Sequence, residues 1–132
     1  MSAQRGLSTY RQTQVQSRTP LELVVMLYDG ALKFLYLTRE AIERRDLAAR
    51  RDASSRALAI ISELQSTLNM AEGGEIAVRL DELYGFVNRR ILDATKDNAV
   101  TPIDDAIRVI ENLRGAWVSV ANAPAESVRG AA

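Results

Sequence analysis

"TPLELVVMLYDGALKFLYL", residues 19–37, is the stretch whose reading decides the fold. It opens with a helix start. The Thr19 hydroxyl can accept from a backbone N–H, Pro20 sits where no N–H is needed, and Glu22 can reach back to the N–H of Thr19. Nothing then stops a helix before about Arg45. At about 100° per residue, Glu22, Asp29, Lys33 and Glu40 fall in one narrow band. Leu21, Leu23, Val24, Val25, Met26, Leu27, Tyr28, Leu32, Phe34, Leu35, Tyr36 and Leu37 spread over about 280° of the remainder. A bundle helix needs an apolar residue at only about three positions in seven. The seventeen residues from Leu21 to Leu37 include Glu22, Asp29 and Lys33, and they fall short of the roughly 20 apolar residues that cross a bilayer. The surplus apolar flank therefore needs a protein cover, and no membrane insertion is expected. Three covers are open: the other helices around a central helix, the residues Leu7, Tyr10 and Val15 folded over it, or a second polypeptide.

The rest of the chain supplies short turns and more helices. Asp46 can cap a second helix from Leu47 to about Leu68. "NMAEGG", residues 69–74, interrupts the pattern, and a third helix is predicted from Glu75 to about Lys96. "TPID", residues 101–104, repeats the first start signal and predicts a fourth helix from Pro102 to about Ala121 with Thr101 as its cap. Ile76, Leu80, Leu83, Tyr84, Val87 and Ile91 make one predicted core stripe. Ile103, Ala106, Ile107, Ile110, Leu113 and Trp117 make another. Phe86 instead shares a polar face with Glu75, Arg79, Glu82, Arg90 and Asp93, and Val78, Gly85 and Leu92 form a seven-residue-spaced line beyond it. The fold class expected is all-α: an antiparallel up-and-down four-helix bundle over residues 19–122, with a mobile or folded-back N-terminal arm (1–18) and a frayed C-terminal tail (123–132).

Composition narrows the chemistry. The 132 residues contain no cysteine and no histidine, which removes disulfides, thiol nucleophiles, thiolate metal sites and the commonest general base near neutral pH. A reducing cytoplasm fits, and neither enzyme activity nor a cofactor or metal is expected. Seventeen basic residues balance seventeen acidic ones, so no whole-chain field attracts nucleic acid or an acidic membrane. Arg44, Arg45, Arg50, Arg51 and Arg56 cluster in sequence, but at about 100° per residue the last three point in different directions, with no aromatic rings among them for base stacking. They read as a solvated helix surface. A carboxylate-bridged metal site in a bundle would need histidines beside its glutamates, and an Arg-rich adaptor for RNA or another protein is the alternative function.

The residues "MLYDGALKFL" (26–35), preceded by a proline helix start and by Tyr10 and Val15, resemble the flagellar secretion chaperone FliS family. "GGEIAVRLDELYGFV" (73–87) and "LRGAW" (113–117) agree with it in order. Arg18 and Arg79 depart from the pattern, which weakens the transfer of partner contacts beside them. The resemblance implies a bundle in the bacterial cytoplasm that holds unassembled flagellin by its C-terminal segment until export. It leaves room for a second flagellar regulatory protein and for either a monomer or a homodimer. A disordered amphipathic client would dock its apolar anchors in clefts between helices. The candidate partner contacts are Leu7, Tyr10, Val15, Tyr28, Tyr36 and Phe86, with Tyr10 foremost by family analogy. Several motif residues also have internal readings: Tyr28 as a core ring with a polar tip, Asp29 as a mate for Lys33, Gly30 as a close helix crossing, Gly73, Gly74 and Glu75 as the turn and first-turn acid of helix three, and Trp117 as core.

Overall fold

The computed structural model describes residues 19–122. The arm and tail expectations lie outside those residues. Four helices occupy the described chain: α1 (Pro20–Arg44), α2 (Leu47–Ser66), α3 (Met70–Asp97) and α4 (Val100–Ala121). α1 packs against α2 and α4, and α3 packs against α4 and α2. Short turns make successive helices antiparallel, so the ring closes between α1 and α4 as an up-and-down bundle.

The first two helix starts follow their local chemistry. The Thr19 hydroxyl accepts from Glu22 N–H at 3.1 Å and Glu22 accepts from Thr19 N–H at 3.4 Å, the reciprocal box expected. Arg45 ends α1 in the left-handed region at φ 57°, and Asp46 accepts from Ala49 N–H at 3.0 Å to begin α2. The chain turns in these two residues. α2 stops at Ser66, two residues before the expected end.

α3 starts earlier than predicted. Asn69 caps it by accepting from Glu72 N–H at 3.0 Å, so residues 70–73 are helical and the break is confined to Gly74, at φ 53° and ψ −131°. A positive φ with that ψ is open only to glycine. α4 also starts earlier, at Val100. Its cap position is Ala99, which makes no side-chain cap hydrogen bond, and Thr101 lies inside the first turn rather than capping it. Pro102 is tolerated there because first-turn N–H groups have no helical acceptor anyway. Pro102 is buried, and packing takes over the part a cap would have played.

The core repeats at alternating three- and four-residue steps. α1 contributes Tyr28, Ala31, Leu35, Thr38 and Ile42, all 3% exposed or less. Ala57 and Ile61 of α2, Val87 and Ile91 of α3, and Ile103 and Ile110 of α4 meet them. A methyl group placed on Gly30 would stand 3.1 Å from Ile60 Cδ1, the close α1–α2 crossing expected. The α3 stripe is corrected at two positions: Ile76 is 63% exposed and Leu83 36%, while Tyr84, Val87 and Ile91 face inward as predicted, joined by Ala77 and Ala94. Leu113 and Trp117 of α4 are half-buried against the core.

Ion pairs between helices set the seams. Asp104 accepts from Arg39 of α1 at 2.7 Å, and its chain neighbour Asp105 accepts from Arg90 of α3 at 2.8 Å. Asp29 pairs with Arg114 of α4, not with Lys33. The Lys33 ammonium lies 5.5 Å from the Phe34 ring centre. Asp29 thus joins two helices where local spacing suggested a pair within one.

Candidate partner-binding surface

Three of the candidate contacts, Leu7, Tyr10 and Val15, lie outside the described residues. The other three sit in different environments. Tyr28 is fully enclosed. Its hydroxyl shares a hydrogen bond with the Tyr84 hydroxyl and accepts from Trp117 Nε1 at 3.0 Å, and the two tyrosine rings lie 6.4 Å apart at 44°. Burial pushes both hydroxyls above the usual phenol range; at Tyr84 the hydrogen bond adds to it, and at Tyr28 the bonds to Tyr84 and Trp117 partly offset it. Tyr28 is thus the core ring with a polar tip, and it presents no surface to another chain. Gly30 and Trp117 likewise serve internal packing.

Tyr36 is 47% exposed. Its hydroxyl donates to Glu111 of α4, and that hydrogen bond to a carboxylate holds the phenol above its usual range. The ring therefore stands on the surface at the α1–α4 seam. Phe86 is half-buried on α3.

Sequence reasoning placed two exposed residues in the core. Ile76 and Leu83 lie seven apart on α3, two turns along one line. Arg90, a further seven residues on, pairs with Asp105 of α4, so this line edges the α3–α4 seam. The opposite flank of α3 is marked by Asn88, which donates to Gln65 of α2 at 3.2 Å. On that side Val78 is 43% exposed and Leu92 54%, members of the line that the sequence did single out. On α1, Met26 and Leu37 are also exposed. They lie eleven residues, or three turns, apart along one outer line. Single exposed apolar residues are ordinary, but aligned ones on two helices make surfaces for a partner with helical periodicity. What would have exposed Ile76 and Leu83 is the polarity of the groups beside them: Glu75, Arg79 and Glu82 are all exposed.

Among the described residues no group of acids is arranged to hold a metal ion. No helix there is long and apolar enough to cross a membrane. What the geometry offers is a rigid frame with apolar lines left on its outside.

The comparison with known proteins carries the same blocks further. The family model described as "Flagellar protein FliS" matches residues 3–124. The chain belongs to the FliS family. It is 35% identical over 120 residues to the flagellar secretion chaperone FliS of Salmonella typhimurium, covering 87% of this chain and 89% of that protein. It is 33% identical over 116 residues to the flagellar secretion chaperone FliS of Vibrio cholerae, with 85% of each chain covered. The flagellar secretion chaperone FliS of Bacillus subtilis is 32% identical over 117 residues, covering 89% of this chain and 86% of that one. This FliS-family chain therefore matches its relatives over nearly their whole length, and the bundle and its surface are common ground for comparing function.

Proposed function

We propose that the chain is a cytoplasmic export chaperone that binds the C-terminal segment of unassembled flagellin, keeps it from polymerising, and performs no catalysis. The observation that carries this reading is the apolar surface left outside a closed bundle: Met26 and Leu37 on α1, Ile76 and Leu83 on α3. α1 and α3 occupy diagonal corners of the ring, so one client that used both lines would have to wrap round the bundle. An extended segment with short helical pieces can do so, whereas a folded domain cannot. Ordering such a segment costs about 2 to 5 kcal/mol or more, which a long wrapped surface offsets while leaving the complex releasable. Tyr36 and Phe86 border this surface, and Tyr10 with Val15 and Leu7 would add contacts from the arm.

The test is co-purification of the full chain with full-length flagellin and with flagellin lacking its C-terminal segment. A stoichiometric complex with the first and none with the second is expected. Retention of the truncated client at full strength would move the grip elsewhere.

A further inference from the structure

Apart from those lines, a recess of about 530 Å³ opens between α2 and α3 near the end of the bundle where α1 turns into α2. Arg50, Arg51 and Leu58 bound it on α2, and Leu92, Thr95 and Lys96 on α3. Its basic groups outnumber its acids three to one. Arg39, Arg56, Arg79, Arg90, Arg108 and Arg114 each lie within ion-pair distance of a carboxylate. Arg50, Arg51 and Lys96 have no such partner among the described residues; Lys33, Arg44, Arg45 and Arg89 have none either, but they do not line the recess. Asp93, the one acid in the recess, is held by Arg90 at 3.1 Å. Arg50 is fixed in place by donating from Nη1 to the neutral Asn98 Oδ1 at 3.0 Å, and its enclosed Nε–H meets no acceptor. Leu58, half-buried, and Leu92, 54% exposed, line the same recess.

We infer that this recess is a docking site for an acidic amphipathic segment of a partner protein, its carboxylates on Arg50, Arg51 and Lys96 and an apolar side chain on Leu58 and Leu92. Charge complementarity selects the partner's sign. The apolar floor selects its kind, because an inorganic anion would leave Leu58 and Leu92 uncovered. A nucleic-acid strand would need rings on which to stack its bases, and no aromatic residue lines the recess. The site does not use Met26, Leu37, Ile76 or Leu83, so it can be occupied while flagellin is held.

The probe is a fluorescein-labelled twelve-residue peptide in which leucines alternate with Glu and Asp, titrated with the full chain by fluorescence anisotropy. Binding is expected to weaken steeply between about 50 and about 300 mM NaCl, because over that range the Debye length that screens exposed charges falls from about 14 to about 6 Å. The double variant R51E/K96E should weaken it by about tenfold or more. R79E/R108E, with the same change of net charge away from the recess, should weaken it by no more than about twofold. Circular dichroism should be unchanged in both, and the flagellin complex unchanged in R51E/K96E. No binding by the wild-type chain, equal weakening in the two double variants, or preference for a labelled single-stranded oligonucleotide over the peptide would each overturn the assignment.

Discussion

The hydroxyl of Tyr28 on α1 meets the hydroxyl of Tyr84 on α3 across the middle of the bundle, 56 residues away in the chain. The two helices stand at opposite corners of the ring, and Trp117 of α4 donates to the same Tyr28 oxygen. One buried oxygen therefore links three helices. Removing it and removing its partner should not be equivalent. Tyr28→Phe leaves both the Trp117 N–H and the Tyr84 hydroxyl without a partner, at about 1–3 kcal/mol for each group left buried and unpaired. Tyr84→Phe leaves the Trp117 bond in place and should cost about 1 kcal/mol. Urea unfolding of the two variants measures the difference. Equal losses would mean that the Trp117 bond contributes nothing.

The same pair predicts an alkaline limit to stability. Both phenols are held neutral by burial, with pKa values raised in the folded chain. A raised folded value means that the stabilisation is complete below the unfolded phenol pKa of about 10 and is lost as pH climbs toward the folded values. The melting temperature should hold steady up to about pH 10 and fall above it. Absorbance at the phenolate band should show Tyr28 and Tyr84 ionising in one cooperative step together with the loss of helicity. Gradual ionisation of all the tyrosines in a chain that stays helical would contradict this.

Two glycines with equal room for a methyl group should respond in opposite directions. An added Cβ meets nothing within 4 Å at either Gly74 or Gly115. Gly74 holds φ 53° and ψ −131°, and Gly115 is an exposed position inside α4. Gly74→Ala should destabilise by about 1–3 kcal/mol through backbone strain alone. Gly115→Ala should stabilise by up to about 1 kcal/mol, the helix propensity difference. Thermal melts of both variants decide it. A neutral Gly74→Ala would mean that the kink relaxes at no cost.

Client binding should be separable from folding at the α3–α4 edge. Ile76→Glu with Leu83→Ser replaces two exposed apolar groups with polar ones, so stability should move by no more than about 0.5 kcal/mol per site. The flagellin complex should weaken by about tenfold or more, as loss of central apolar anchors does in other interfaces. Isothermal titration with the flagellin C-terminal segment measures it. An unchanged affinity would place the client on other surfaces of the bundle.

Much of the bundle was legible because its signals are local. The box Thr19–Glu22 and the cap Asp46 act within three residues of themselves, so the starts of α1 and α2 needed no knowledge of the fold. The start of α4 misled because Thr101 and Pro102 make an equally good local signal. The turn at Asn98, left-handed at φ 48°, and the burial of Pro102 draw the helix back to Val100. The candidate surface was legible in part. Surplus on α1 was visible as a count of apolar residues around a circle, and Met26, Tyr36 and Leu37 are the exposed remainder among the residues described. Tyr28 could not be sorted from them, because its burial depends on Tyr84 and Trp117.

The sequence by itself determined four helices, most of their ends, the apolar stripe of α4, most of that of α3 and the absence of thiol and imidazole chemistry, since those follow from residue type and from spacing along one chain. Tertiary structure decided which edge of a stripe turns inward. A stripe about 100° wide can rotate by one residue without changing its pattern, and the neighbours that settled the rotation at Ala77 rather than Ile76 come from α2 and α4. It also decided that Asp29 reaches Arg114 instead of Lys33, and that Arg50, Arg51 and Lys96 converge on one recess. Ion pairs and clefts form between residues that only packing brings together.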